Sequence, residues 1–478
     1  MVERKVNNKG SMLVMAVVLS FVTILLGVTF LTFAITLHNN ISYEIASKQS
    51  LYDTHAATMW GLADKIAGRN SHGVWQRLYD NNWMRYSFSA EGGNDIDIGV
   101  LNQLEIYGQG RSDYEGFDLT RKVSLSFSWE TYADYLYITN SERDPVNHDI
   151  IYFWTPDTLD GKVHSNDTIH IMDYDDHPRF KKRVTSTRNA FVPPGNHARF
   201  DQGKGPRARI VFPDQATELR NVAGWESGTQ GHDSVTQLVL SDDFIYYRKC
   251  GRLSGRIHCT PTDIGDQSFP IPPSGVIFVY GKTWVSASRG RHEMMDGAYP
   301  ESSMTDGTFM SHGLDGQLTI GSADSMIITD NLLYKHSRDD NSVPGHIDSC
   351  ADVLGLVSEN YILITRLARQ TIFINAAMAA VRGSITVQGI YDDIENEKQS
   401  LFIWGSLAQR NRGIVHITSF ANRGFIEKDY HYDFRLMDNP PPHFLRTTRE
   451  ELQFIEPLFG TGIDASGDNG NGSGGSGG

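Results

Sequence analysis

Five short strings in this 478-residue sequence carry side chains of the kinds that chemistry needs. HEMMD, from His292 to Asp296, stops one residue short of H-E-x-x-H, in which two histidines one helical turn apart hold zinc and the glutamate serves as base. Asp296 stands where the second histidine belongs, and the flanks SASRGR and GAYP read as a solvated loop. DYDDH, from Asp173 to His177, gathers three carboxylates and an imidazole. A calcium loop of the EF-hand kind needs glycine at its sixth place, where this chain has Pro178, so an exposed acidic turn is expected. His164 and Ser165 adjoin, but neighbours on a strand point to opposite faces and cannot act on one another. With Asn166 they suit a polar corner that bonds its own backbone. FKKRVTSTR brings Lys181, Lys182, Arg183 and Arg188 together, and such residues could contact phosphates. A solvated edge strand guarded by charge is the expected reading, with no nucleic-acid partner. Cys250 and Cys259 bracket KCGRLSGRIHC. A disulfide between them would close a short hairpin and stabilise it by about 2–3 kcal/mol on the loop-entropy account.

These strings do not add up to a catalytic site. No G-x-S-x-G elbow, phosphate-binding loop or dinucleotide fingerprint occurs, and 57 acidic residues hide any glycosidase pair. No catalytic residue, metal site or cofactor is therefore expected, and the chain reads as a non-enzyme. With 40% apolar and 21% charged residues it can build two or three domains with real cores. A formal net charge of -14 disfavours adhesion of the whole surface to nucleic acid or anionic membranes. Three cysteines exclude a disulfide-dense scaffold, and the remaining one, Cys350, is expected to be a buried free thiol.

The element that must position everything else lies at the N-terminus. Arg4, Lys5 and Lys9 precede a run with no charge from Ser11 until Glu44. About 20 residues cross a bilayer, so this run is long enough to span one and too long for the core of a cleaved secretory signal. The basic flank puts the N-terminus in the cytoplasm and the bulk of the chain outside. Beyond the span, Ile41, Ile45, Tyr52, Ala56, Met59, Ala63 and Ile66 recur at helical spacing, which predicts one apolar helix face. The whole rod, near 55 residues, would be about 80 Å long.

A basic leader ending in Lys9-Gly10, then Ser11, an apolar helix and an amphipathic continuation resembles a type IV pilin, and most nearly the PilX-type minor pilins. The resemblance implies a cut by prepilin peptidase between Gly10 and Ser11. It makes Met12, Met15, Leu19, Leu26 and Phe30 positions of an assembly helix that packs among other pilin-like subunits. Major pilins have glutamate at the fifth mature position; here that position is Met15, which implies a minor subunit. A plain uncleaved membrane anchor is the alternative.

After residue 70 the helical period gives way to β-branched and aromatic strings such as RKVSLSFSW and DYLYIT, set between Gly, Asp and Asn. VHSNDTIHI, GSADSMIIT and LVSENYILI share a polar corner followed by alternating aliphatics, and RGSITV and LFIWGSL continue the theme. Such strands predict a β-solenoid, specifically a right-handed parallel β-helix, with a β-sandwich as the alternative. AAMAAV between two of them could be helix or a crowded corner. The strings GKVHSNDTIHI, GLVSENYILI, INAAMAAVRGSITV, GSLAQRNRG and YHYDFRLMDNPPPHF resemble a bacterial family that follows PilX-like N-termini, and this implies an envelope role without naming a chemistry.

The expected organisation is a leader at 1–10, the pilin-like helix at 11–68, a β-rich region at 69–160, a solenoid-like domain at 161–457 and a flexible Gly/Ser tail at 458–478. The expected function is a membrane-anchored, non-catalytic subunit of pilus or secretion-filament assembly or adhesion. It would sit in the bacterial inner membrane, the periplasm or a pilus tip, with prepilin peptidase, other subunits and a surface ligand as partners. An anchored polysaccharide-active enzyme and an uncleaved envelope scaffold are the alternatives.

Overall fold

A computed structural model describes residues 9–66, 73–79, 81–88, 103–154, 157–172, 177–193, 198–228, 235–253, 256–260, 264–295, 304–340, 343–346, 350–392, 396–417 and 422–455. The chain is a long N-terminal helix followed by a mostly β region, and it divides into two compact units. The first contains the helix α1 (Lys9–Ile66) and most of an antiparallel sheet of β1 (Gln76–Tyr79), β2 (Asn82–Ser87), β3 (Gln103–Tyr114) and β4 (Phe117–Thr131), closed by the last strand, Arg446–Ile455. Apart from Gln103, the described residues of the second unit run from Ser128 to Glu451, so in sequence it is an insertion between the end of β4 and the start of that last strand.

The sheet-facing side of α1 is not the face marked by Ile41, Tyr52 and Met59. Ile41, Tyr52 and Met59 are exposed, whereas Ala46, Ser50, Thr54, Ala57, Thr58 and Gly61 are buried. The reason is close approach. A Cβ on Gly108 would meet the Thr54 carbonyl oxygen at 2.6 Å, and one on Gly110 would strike the backbone of Ser50 and Thr54. Only small residues on the helix and glycine on β3 allow backbones so near each other. Polar groups within that seam are satisfied across it. Asp53 accepts from the Asn82 amide (2.5 Å) and the Tyr79 hydroxyl (3.2 Å), and Asp64 accepts from the Tyr86 hydroxyl. Burial pushes the Asp53 carboxyl upward, opposed by those two hydrogen bonds.

The second unit is organised by parallel pairing. One ladder contains, in spatial order, Trp225–Ser227, Val276–Val279, Gln317–Ser322, Val353–Ser358, the latter halves of Thr371–Ala380 and Asn396–Asn411, then Tyr137–Ser141, Val163–Ser165, Val184–Ser186 and Lys204–Pro206. A second ladder joins Val235–Asp242, Lys282–Ala287, Met326–Leu332, Ile362–Ile364 and Ile385–Val387. A third joins the first halves of Thr371–Ala380 and Asn396–Asn411 to Arg423–Tyr432, Thr158–Asp160, Arg179–Phe180 and Arg199–Phe200. Parallel register puts like on like. Ile277, Ile320, Leu356, Met378, Leu407, Tyr137, Val163 and Val184 form one buried column. AAMAAV is strand as far as Ala380, because Ala377 to Ala380 are paired on both sides.

This spatial order is not the sequence order. The chain enters the stack in the middle, at Tyr137, and builds outward to Lys204. It then runs back along the stack to begin again at Trp225 and returns to Leu407, which pairs with Tyr137. The crossing segment is tied down at successive levels. Arg207 pairs with Glu130, Ile210 N–H donates to Asn166 Oδ1 (3.0 Å), and Arg410 Nη2 donates to Pro213 O (2.8 Å) and Asp214 (2.8 Å). Further on, Ala216 N–H donates to Glu359 Oε1 (3.0 Å), and Arg220 pairs with the same carboxylate. Where the unit's chain comes in and goes out, Tyr132 N–H donates to Leu445 O (3.0 Å) and Thr447 Oγ1 to Glu130 Oε2 (3.0 Å).

Glu359 is buried and serves both the crossing segment and Arg382. Glu359→Ala should therefore cost about 2 kcal/mol, since its charged partners retain part of their access to solvent. Urea unfolding checks this, and an unchanged midpoint would show that the crossing segment is held elsewhere.

Candidate functional site

Among the described residues, α1 is the one helix long and apolar enough to cross a membrane, by length and composition. Gly10 and Ser11 lie in its first turn. Met12, Met15, Leu19, Leu26 and Phe30 are each more than half exposed along its first half. Cys250 and Cys259 face each other in the antiparallel pairing of Phe244–Leu253 with Arg256–Thr260 and are joined by a disulfide.

The other strings that drew attention fall into place structurally. His292 to Met295 belong to a strand, Arg289–Met295, paired antiparallel with Met304–Leu314, rather than to the expected loop; Asp296 lies outside the described residues. Asp173 to Asp176 also lie outside them. FKKRVTSTR is not an edge. Arg179–Phe180 and Val184–Ser186 each pair with a strand on both sides, and the charges lie beside partners, Lys181 on Asp160 (3.0 Å) and Arg188 on Asp167 (3.3 Å). His164 and Ser165 do point apart. His164 Nδ1 meets Thr185 Oγ1 (2.9 Å) and its Nε2 meets Asn166 Oδ1 (3.0 Å), whereas Ser165 Oγ accepts from Thr139 Oγ1 (2.9 Å) and the Asp167 N–H (3.1 Å). Asn166 also holds Ile210 of the crossing segment through both its amide atoms. This corner is a fastening.

Asp315, His336 and Asp352 each offer one ligand atom within 4.8 Å of the others. Their charges are already engaged. Lys335 bridges Asp315 (3.1 Å) and Asp242 (2.8 Å), and His336 Nδ1 lies 3.1 Å from Asp352 Oδ2. Cys350 is a buried free thiol whose S–H donates to the same Asp352 oxygen (2.9 Å). Burial first, and then that hydrogen bond, pushes the thiol up to about 12, so it stays protonated and unreactive.

A site with room for a ligand lies elsewhere and was not singled out by the sequence. A cavity of about 350 Å³ opens within the second unit beside Trp154, Arg412, His416, Lys428 and Tyr430. Arg412 forms its floor. Its guanidinium pairs with buried Glu142 (3.0 Å), donates to Tyr152 O (3.3 Å) and lies 3.6 Å over the Phe153 ring. Lys428 pairs with Asp157 (3.0 Å) and sits 5.6 Å from the Trp154 ring centroid. His416 Nε2 is buried and hydrogen-bonds to nothing among the described residues. Burial, helped by the Lys428 charge, pushes that imidazole down and keeps it neutral. The aromatic strings IIYFW and DYHYDF were the available signal, but only the ladder that sets Arg423–Tyr432 beside Thr158–Asp160 brings them together.

No protein-family model matches the chain, and no curated protein matches it. Among solved structures it is similar to the competence-associated pilin ComZ from Thermus thermophilus, at 11% identity and a TM-score of 0.31, over 85% of this chain and 98% of that one. A likeness at that level carries no argument about function.

His164 yields a pH test. Burial first pushes it down to about 4 from its ordinary 6.5, so the unfolded chain takes up a proton that the folded chain refuses. Its contribution is whole above pH 6.5 and is lost as the pH falls towards 4, by up to about 3 kcal/mol. His164→Gln should flatten that slope in urea midpoints taken at neutral pH and near pH 4. An equal acid loss in both proteins would assign the slope to other groups.

Proposed function

We propose that this chain is a pilin-like, membrane-anchored subunit of the bacterial cell envelope. In that reading it is a PilX-type minor pilin, cut between Gly10 and Ser11, with its N-terminus cytoplasmic and its β region periplasmic or at a pilus tip. It acts by assembly and binding, without catalysis. The observation that carries this is the exposed face of α1. From Met12 to Leu37 the helix is exposed on every side, and from Ile41 onward the side away from the chain's own sheet exposes Ile41, Tyr52 and Met59 together with the Glu44–Lys48 ion pair. Apolar surface that its own fold leaves uncovered on a rod of this length suits packing against the helices of other subunits. Met15 in place of glutamate fits a subunit used sparingly.

The parallel ladders are read here as successive coils of a β-solenoid, in which each coil covers its neighbour's apolar face. A β-sandwich would instead be built from antiparallel sheets.

Protein isolated from host membranes should begin at Ser11 on N-terminal sequencing; an intact Met1 would overturn the cut. Tyr52→Glu combined with Met59→Glu should lower recovery of the protein in sheared filament fractions about tenfold while its circular dichroism is unchanged. Undiminished recovery would remove the helix face from assembly.

A further inference from the structure

We propose that the cavity beside Trp154 binds a neutral saccharide of one or two sugar rings. The cavity alone carries this, whether or not the helix assembles with other subunits.

Size sets the first limit. About 350 Å³ lies at the low end for small-molecule sites, enough for a sugar or a disaccharide end and too little for a folded partner. Charge sets the second. The two cations at the cavity are each neutralised in place, Arg412 by Glu142 and Lys428 by Asp157, at 3.0 Å in both cases. An anionic ligand would have to compete with carboxylates already seated, and a cationic one would meet the guanidinium and ammonium. A neutral ligand meets neither penalty.

The unspent hydrogen-bonding capacity then separates hydroxylated ligands from apolar ones. His416 Nε2 is buried without a partner, and the imidazole is held neutral, so it can take or give one hydrogen bond according to tautomer. The Tyr430 hydroxyl, also on the lining, has no hydrogen-bond partner among the described residues. Lys428 spends one N–H on Asp157 and keeps two. A purely apolar occupant would leave His416 Nε2 orphaned. A ring bearing hydroxyl groups that both donate and accept would satisfy these atoms together. Its C–H faces would lie on the rings of Trp154, Tyr152 and Tyr430 and against Ile414.

The test uses the full chain in a polyoxyethylene detergent, because maltoside detergents would themselves present a sugar. Calorimetric titration is run with glucose, galactose, N-acetylglucosamine, maltose, cellobiose and chitobiose, and with glucuronic acid, glucosamine and indole as charged and apolar probes. At least one neutral sugar should bind in the millimolar range or tighter. His416→Ala and, independently, Trp154→Ala should each weaken it about tenfold, with thermal midpoint and near-ultraviolet circular dichroism as the check on folding. If Trp154→Ala does not fold, His416→Ala decides alone. Absence of binding by every neutral sugar overturns the proposal. So does sugar binding that ignores His416, or equal or tighter binding of glucuronic acid, glucosamine or indole.

Discussion

Parallel pairing in strict register is the constraint on which the second unit depends. Each strand in the principal ladder lies over another of the same direction, so a position inside the stack must suit the residues directly above and below it. The column from Ile277 to Val184 satisfies this through eight levels, and it crosses the break in chain order between Leu407 and Tyr137 without a change of character. Apolar burial accounts for its stability, and stacked Phe180–Phe200 and Phe373–Phe402 pairs extend the same logic to a second wall. Because the stack is started from its middle, something must bring the chain to its far end. The run from Arg207 to Arg220, fastened at Glu130, Asn166, Arg410 and Glu359, does so. Several buried polar residues in this unit are thus fasteners, and that is why His164 and Asn166 look chemical in the sequence and are structural in the fold.

The first unit obeys a different rule. Its helix approaches β3 so closely that glycine is needed at 108 and 110 and small side chains are needed opposite. The larger apolar residues are left on the outside as a result. The most apolar helix face is therefore not the one that meets the sheet, since steric access outranks apolar area where two backbones nearly touch.

Much of the architecture was legible in the sequence, for reasons that can be named. An uncharged run from Ser11 to Tyr43 has few structural interpretations, and repeated polar corners followed by aliphatic strings mark short strands wherever they occur. The order of the ladders was not legible, because pairing Leu407 with Tyr137 leaves no local trace. The same distance hid the cavity: Trp154 and Asp157 are far in sequence from Arg412, His416 and Lys428. HEMMD and FKKRVTSTR misled in the opposite way, since short strings of reactive residues say little about whether their backbone is paired on one side or two.

The hydrogen bond from Tyr132 to Leu445 joins the two points where the chain passes into and out of the second unit. Seen from the sheet of β1 to β4, more than three hundred residues amount to a single turn between adjacent strands, with almost no loop to close. Such an arrangement behaves as an exchangeable cassette. Paired strands could be added, lost or replaced in it over evolutionary time, or by design, while the N-terminal helix and its sheet keep the same strand count and order.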